Sequence, residues 1–199
     1  MRRIGAARVG VIGLAIVAAV TGIARPASAS LFTIDIVQDG SNVVATGTGS
    51  IDISVLSLQT GVTTSGGFMN PGLDILDIGS ASGVGDLYSG AVSGPADFGS
   101  GGAHLASASI GDVVGISAAD LVVPDGYVSD AALSGDATWD NATFSSLGLT
   151  TGTYTWTWDS GADSLVVNIG ATGVPEPASL TLLASALLGL GAARRRRKA

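Results

Sequence analysis

Glycine sets the first limit on how this chain can fold. Thirty of its 199 residues are glycine, and they punctuate residues 30–173 too often for helices of ordinary length, since each interior glycine costs about 1 kcal/mol against alanine. Lys, Arg and Glu, all good helix formers, are absent from the same stretch, which is rich in Gly, Ser, Thr, Val and Asp. Apolar and polar residues instead alternate in short runs between turn clusters, the mark of half-buried strands. SLFTIDIVQ (30–38) meets the turn DGSN, and NVVATGTGSIDISVLSL (42–58) reads as the return strand, with Ile51, Ile53 and Val55 on one face. LDILDIG (73–79), DVVGI (112–116), DLVVP (120–124) and ALSGDATWDNATF (132–144) are further candidates. TYTWTW and SLVVNIG, joined by the five-residue loop DSGAD, read as a β-hairpin. The Gly/Ser-rich stretches 60–72 and 89–103 are expected to be loops. No fixed-period repeat occurs, which sets aside propellers and solenoids.

These signals predict an all-β fold: an antiparallel β-sandwich or jelly-roll-like domain over residues 30–173, flanked by an N-terminal signal helix and a C-terminal transmembrane helix. The chain has no cysteine, so no disulfide can staple the domain and its stability must come from a packed core.

Charge is sharply segregated. Lys and Arg occur only at the two ends, with none between Pro26 and Ala193, whereas all 16 acidic residues lie inside that interval. The domain is a polyanion without an internal Lys or Arg partner for any carboxylate. Such a surface repels nucleic acid and anionic lipid, so neither is expected as a partner of the domain.

The first 29 residues read as a secretory signal peptide. Arg2, Arg3 and Arg8 form the basic start, residues 9–24 are almost wholly apolar, and Ala27-Ser28-Ala29 places small residues where a signal peptidase reads. Cleavage after Ala29 would begin the mature chain at Ser30. Arg2-Arg3 is a twin arginine, but the residues after it favour the general secretory route. An uncleaved membrane anchor is the alternative reading.

The C-terminal segment, 174–199, has three parts in order. Pro175, Glu176 and Pro177 hold the backbone extended and remove two N–H donors, leaving a stretch that an enzyme can read. Residues 178–193 carry no charge; as a helix rising about 1.5 Å per residue they span about 24 Å, a marginal crossing of a hydrocarbon core of about 30 Å. Arg194, Arg195, Arg196, Arg197 and Lys198 form a basic stop that holds the end in the cytoplasm.

This arrangement closely resembles the PEP-CTERM protein-sorting signal of bacterial envelopes, with its Pro-Glu-Pro, short transmembrane helix and Arg-rich end. The resemblance implies an exosortase and the secretion machinery as partners. It also implies transient anchoring in the inner membrane, then delivery to the cell surface or medium of a polysaccharide-producing bacterium. Within the domain, YSGAVSGPADFGSGGA (88–103), the stretch from Val123 to Trp158, and GADSLVVNIG (161–170) resemble all-β PEP-CTERM proteins of unassigned activity. That resemblance implies a fold and no chemistry.

Candidate chemistry is thin. His104 is the one histidine, and Gly-x-Ser-x-Gly occurs nowhere, which weighs against a Ser-His-Asp hydrolase. Cysteine nucleophiles are impossible, and phosphoryl transfer lacks both a P-loop and a cation. No cofactor and no metal site is expected. Calcium is the one ligand that the abundant carboxylates could take, and Asp74/Asp77, Asp136/Asp140 and Asp159/Asp163 are the closest spacings. In TYTWTW, Tyr154, Trp156 and Trp158 share one face and the threonines the other. Exposed, the aromatic face would stack sugars of an extracellular polysaccharide; buried, it is core. The expected protein is an exported, non-enzymatic surface protein with a structural or adhesive role in extracellular polymer or biofilm matrix. A carbohydrate-binding module is the alternative, and a hydrolase a more distant one.

Overall fold

A computed structural model describes residues 29–64, 66–80 and 83–170. The expected signal helix, transmembrane helix and sorting motif lie outside the described residues. Within them the chain is mostly strand: β1 (Leu31–Asp39), β2 (Asn42–Gly49), β3 (Ser57–Thr64), β4 (Phe68–Asn70), β5 (Ile75–Ile78), β6 (Gly83–Ser89), β7 (His104–Leu105), β8 (Ala108–Gly111), β9 (Val114–Ser117), β10 (Asp120–Pro124), β11 (Leu133–Trp139), β12 (Gly152–Trp158) and β13 (Asp163–Ile169). The one α-helix among the described residues is a single turn, α1 (Phe144–Leu147), closed at its start by a capping box between Thr143 and Ser146.

The strands form two sheets. The first has the order β12-β13-β1-β2-β11-β8, and the second β3-β6-β10-β9-β5-β4-β7. Described pairings are antiparallel except β1 with β13, which run parallel from Leu31 opposite Ser164 to Ile36 opposite Ile169. The expected antiparallel order thus holds everywhere but at the join of the first and last strands. There the terminal hairpin β12–β13 adds to β1 on the side that β2 leaves free.

Alternation along the strands builds the core. Phe32, Ile34 and Ile36 of β1 and Leu165, Val167 and Ile169 of β13 point inward, and Leu76, Ile78, Val114, Ile116, Leu121 and Val123 of the second sheet belong to the same cluster. Full burial of each such side chain contributes about 1.5–3 kcal/mol. The two sheets approach closely where Gly47 of β2 faces β5, because a Cβ there would run into Ile78 and the Phe32 ring.

Three local expectations need correction. The return strand stops at Gly49, whose φ of +143° turns the chain out of the sheet and where an added Cβ would run into the Leu31 carbonyl. Residues 50–56 therefore cross between the sheets with Ile51 in the core, rather than extending β2. The stretch 60–72 is not simply loop, since β3 and β4 occupy much of it. In the final hairpin, Trp158 pairs directly with Asp163, so the loop is residues 159–162, four residues rather than five.

The stretch after β6 makes only isolated bridges, Ser93 to Thr157 and Gly99 to Leu149. It folds as a strap over the side of the molecule. Phe98 is fully buried and meets Trp156 edge-on at 6.5 Å and Tyr154 at 6.2 Å. Gly94 lies on the Trp156 indole with no room for a side chain.

Candidate functional site

The aromatic face of β12 looks inward. Trp156 and Trp158 are buried and Tyr154 is half-buried. The indole N–H of Trp156 donates to Asp74 Oδ2 at 3.2 Å, that of Trp158 to the Asp52 carbonyl at 2.8 Å, and the Tyr154 hydroxyl to the Thr150 carbonyl at 2.9 Å. The expectation that Tyr154, Trp156 and Trp158 could stack sugars is therefore overturned. The strap and the second sheet cover that face, and its polar atoms are spent on the fold.

What β12 offers to solvent is its other face, Thr153, Thr155 and Thr157. Register extends this face across the first sheet. One row runs Thr155, Val166, Thr33, Thr48 and Ser134, and the next runs Thr153, Asn168, Asp35, Thr46 and Asp136. Thr46, Thr48, Thr153 and Thr155 are exposed. Neighbouring strands lie about 4.8 Å apart and same-face residues about 6.8 Å apart along a strand, so the hydroxyls form a two-dimensional array. Part of the array is prearranged: Thr153 donates to Asn168 Oδ1, and the Asn168 amide donates to Asp35 Oδ1, both at 2.9 Å.

A different site lies on the outer face of the second sheet. Phe68, Asp77, Gly115, Val122 and Leu87 follow one another in register across β4, β5, β9, β10 and β6. Gly115 interrupts that row of side chains, and a Cβ there would run into the Leu76 carbonyl and Asp77 Oδ1. The result is a cavity of about 310 Å³, walled by Phe68, Leu87 and Val122 of the row and by Val62, Thr63, Ile75 and Ser117. Asp77 is its one ionisable lining residue among those described, and its buried Oδ1 has no hydrogen-bond partner. Burial alone pushes its carboxyl up to about 7, so at neutral pH it is held between acid and carboxylate. A carboxyl in this state can donate a hydrogen bond as the acid or accept one as the carboxylate.

The spacing-based acidic pairs do not assemble. Asp74 turns inward to Trp156 and Asp77 outward to the cavity, on opposite faces of the second sheet. Asp74 is raised to about 6, chiefly by burial, with the bonds from Trp156 and Ala119 opposing that and Asp97 adding to it. Asp140 is exposed and Asp136 half-buried, with no bond shared between them. Asp159 is exposed, whereas Asp163 is buried and accepts from the Ser30 N–H at 2.8 Å. No group of three or more potential metal-ligating side chains occurs among the described residues.

His104 shares a shallow depression with Ser107, Asp140 and Ser146. The Ser107 hydroxyl accepts the Asp140 N–H at 3.0 Å, and the Ser146 hydroxyl bonds within the α1 cap. The His104 carbonyl accepts the Trp139 indole N–H at 3.4 Å, and its backbone lies opposite Met69 in the β4–β7 ladder. The Ser–His and His–Asp hydrogen bonds of a triad are not formed among the described residues.

Sequence reasoning missed Asp77 as a cavity residue and the threonine array as a surface. The array had a signal, because Thr-x-Thr recurs at 46–48 and 153–157. The cavity had none, because it depends on Gly115 lying beside Asp77 in register.

No curated protein matches the chain, and no solved structure matches it. Residues 173–197, a few residues beyond the end of β13, match the PEP-CTERM protein-sorting motif. The segment includes Pro175, Glu176, Pro177 and the cations from Arg194 to Arg197. The chain thus ends in the sorting signal of an exosortase substrate, an address for export and the cell envelope.

Proposed function

We propose that this exported protein has a non-enzymatic, adhesive role in extracellular polymer, and that it holds the polymer through the threonine array of the first sheet. The observation that carries this reading is the double row of Thr, Ser, Asn and Asp side chains, interrupted only by Val166, across the outer face of β12, β13, β1, β2 and β11. Hydroxyls both donate and accept, so such a face matches a polymer that is itself covered in hydroxyls. Each contact is weak, and retention comes from many at once. The sorting signal delivers the domain to the compartment where such polymer lies. A stacking-based carbohydrate module is disfavoured, because the aromatic face that would serve it is core.

Adsorption to the producing organism's own extracellular polymer tests the reading. Thr46→Val, Thr48→Val and Thr155→Val together keep the shape and β-propensity of the face while removing three hydroxyls. Retention on the polymer should fall several-fold with the melting temperature little changed. Unchanged retention by a folded triple variant would overturn the assignment.

A further inference from the structure

The leader cleavage read from the sequence has a structural consequence at Ser30. Ser30 is buried, 3 % exposed, and so is Asp163, 2 % exposed. The Ser30 nitrogen donates to Asp163 Oδ1 at 2.8 Å, the one hydrogen bond that described residues give this carboxyl. Ser30 is fixed on two further sides: its hydroxyl accepts the Asp52 N–H at 2.9 Å, and its carbonyl accepts the Ser164 N–H at 3.1 Å. Ala29, one residue earlier, is exposed.

A buried carboxylate with one neutral N–H for a partner is poorly compensated. No lysine or arginine between Pro26 and Ala193 can help it, and the one histidine, His104, lies on β7 of the other sheet. One cation can still be made at this spot. Hydrolysis of the Ala29–Ser30 bond adds water across it: Ala29 leaves with a carboxylate, and the Ser30 nitrogen becomes an α-ammonium near neutral pH. It needs no new partner, because that nitrogen already sits on Asp163.

We infer that leader cleavage creates a buried ion pair between the Ser30 α-ammonium and Asp163, which locks the mature domain. The precursor, with an amide in place of the ammonium, has the same fold, and among the described residues its buried carboxylate has that neutral N–H alone for a partner. It is therefore less stable, which suits a chain that must cross the membrane unfolded. The exported domain gains its cation only after the leader is removed.

The inference rests on the reading of residues 1–29 as a cleaved leader, and the experiment separates the two. The chain is exported from its full-length gene, purified in detergent, and its N-terminus is sequenced. A start other than Ser30 overturns the leader reading and the ion pair with it. For a chain starting at Ser30, acylation of the α-amine by an amine-reactive reagent is compared under native and denaturing conditions. Burial against Asp163 predicts native protection of about 100-fold or more, tracking unfolding. Equal rates would overturn the ion pair alone. A version that retains Ala29 should melt roughly 5 °C lower, and Asp163→Asn should remove that difference. Equal melting temperatures for the Ser30 and Ala29 forms of the unsubstituted chain would also overturn it, whether or not Asp163→Asn folds.

Discussion

Trp156, on the edge strand of the first sheet, donates its indole N–H to Asp74, which caps a turn entering the second sheet, at 3.2 Å. Asp74 takes a left-handed conformation there, φ +57°, and also receives the Ala119 N–H at 3.3 Å. Its Oδ1 is buried with no partner. The bond therefore ties the sheets together through a carboxyl whose compensation is incomplete. Trp156→Phe keeps most of the apolar burial and removes the donor, so it should cost about 1–3 kcal/mol. Because Asp74 ionises at about 6, the loss should be larger at pH 8 than at pH 5. Urea unfolding at both pH values measures it.

Stability should fall as pH rises from about 5 to 8. Asp74 and Asp77 titrate at about 6 and about 7 in the folded protein against 3.8 unexposed to these surroundings. Groups with raised folded values bind protons more tightly in the native state, so the stability linked to them is full below the unfolded value and is lost as pH climbs through the folded one. Asp52 acts in the opposite sense, since the Ser129 hydroxyl and the Ser54 N–H lower it, and its contribution is lost in acid. The melting temperature should peak in mildly acidic solution. Asp77→Asn should flatten its decline toward pH 8, as a pH series of thermal melts would show.

Gly115→Ala should destabilise the domain by about 1–3 kcal/mol, because the new methyl meets the Leu76 carbonyl and Asp77 Oδ1. Gly102→Ala is the control: nothing lies within 4 Å of its added Cβ, and the change should stay within about 0.5 kcal/mol. Chemical denaturation of the two variants side by side checks the difference.

Strands whose inner residues are large and regularly alternating were legible in the sequence. Phe32, Ile34 and Ile36 announce β1, and Leu165, Val167 and Ile169 announce β13. β3 and β8 were not legible, because SLQTGVTT and ASIG carry few large apolar residues and lie at sheet edges, where burial asks little of the pattern. The parallel contact of β1 with β13 joins the two ends of the domain, and local alternation says nothing of such distant partners. Alternation did separate the tryptophans from the threonines of β12. It could not say which face turns inward, since that depends on Phe98 and Asp74 arriving from elsewhere in the chain.

Delivery to the surface through the C-terminal signal is the central claim, and intact mass spectrometry of the chain tests it most directly. The protein is collected from the envelope and medium of a producing host with and without its exosortase. With the enzyme present, the recovered chain should have lost mass at its C-terminus and be found at the surface. Without the enzyme, or with Pro175, Glu176 and Pro177 replaced by alanine, it should keep the basic end and stay with the membrane. An identical C-terminus and identical location in all three cases would contradict the account.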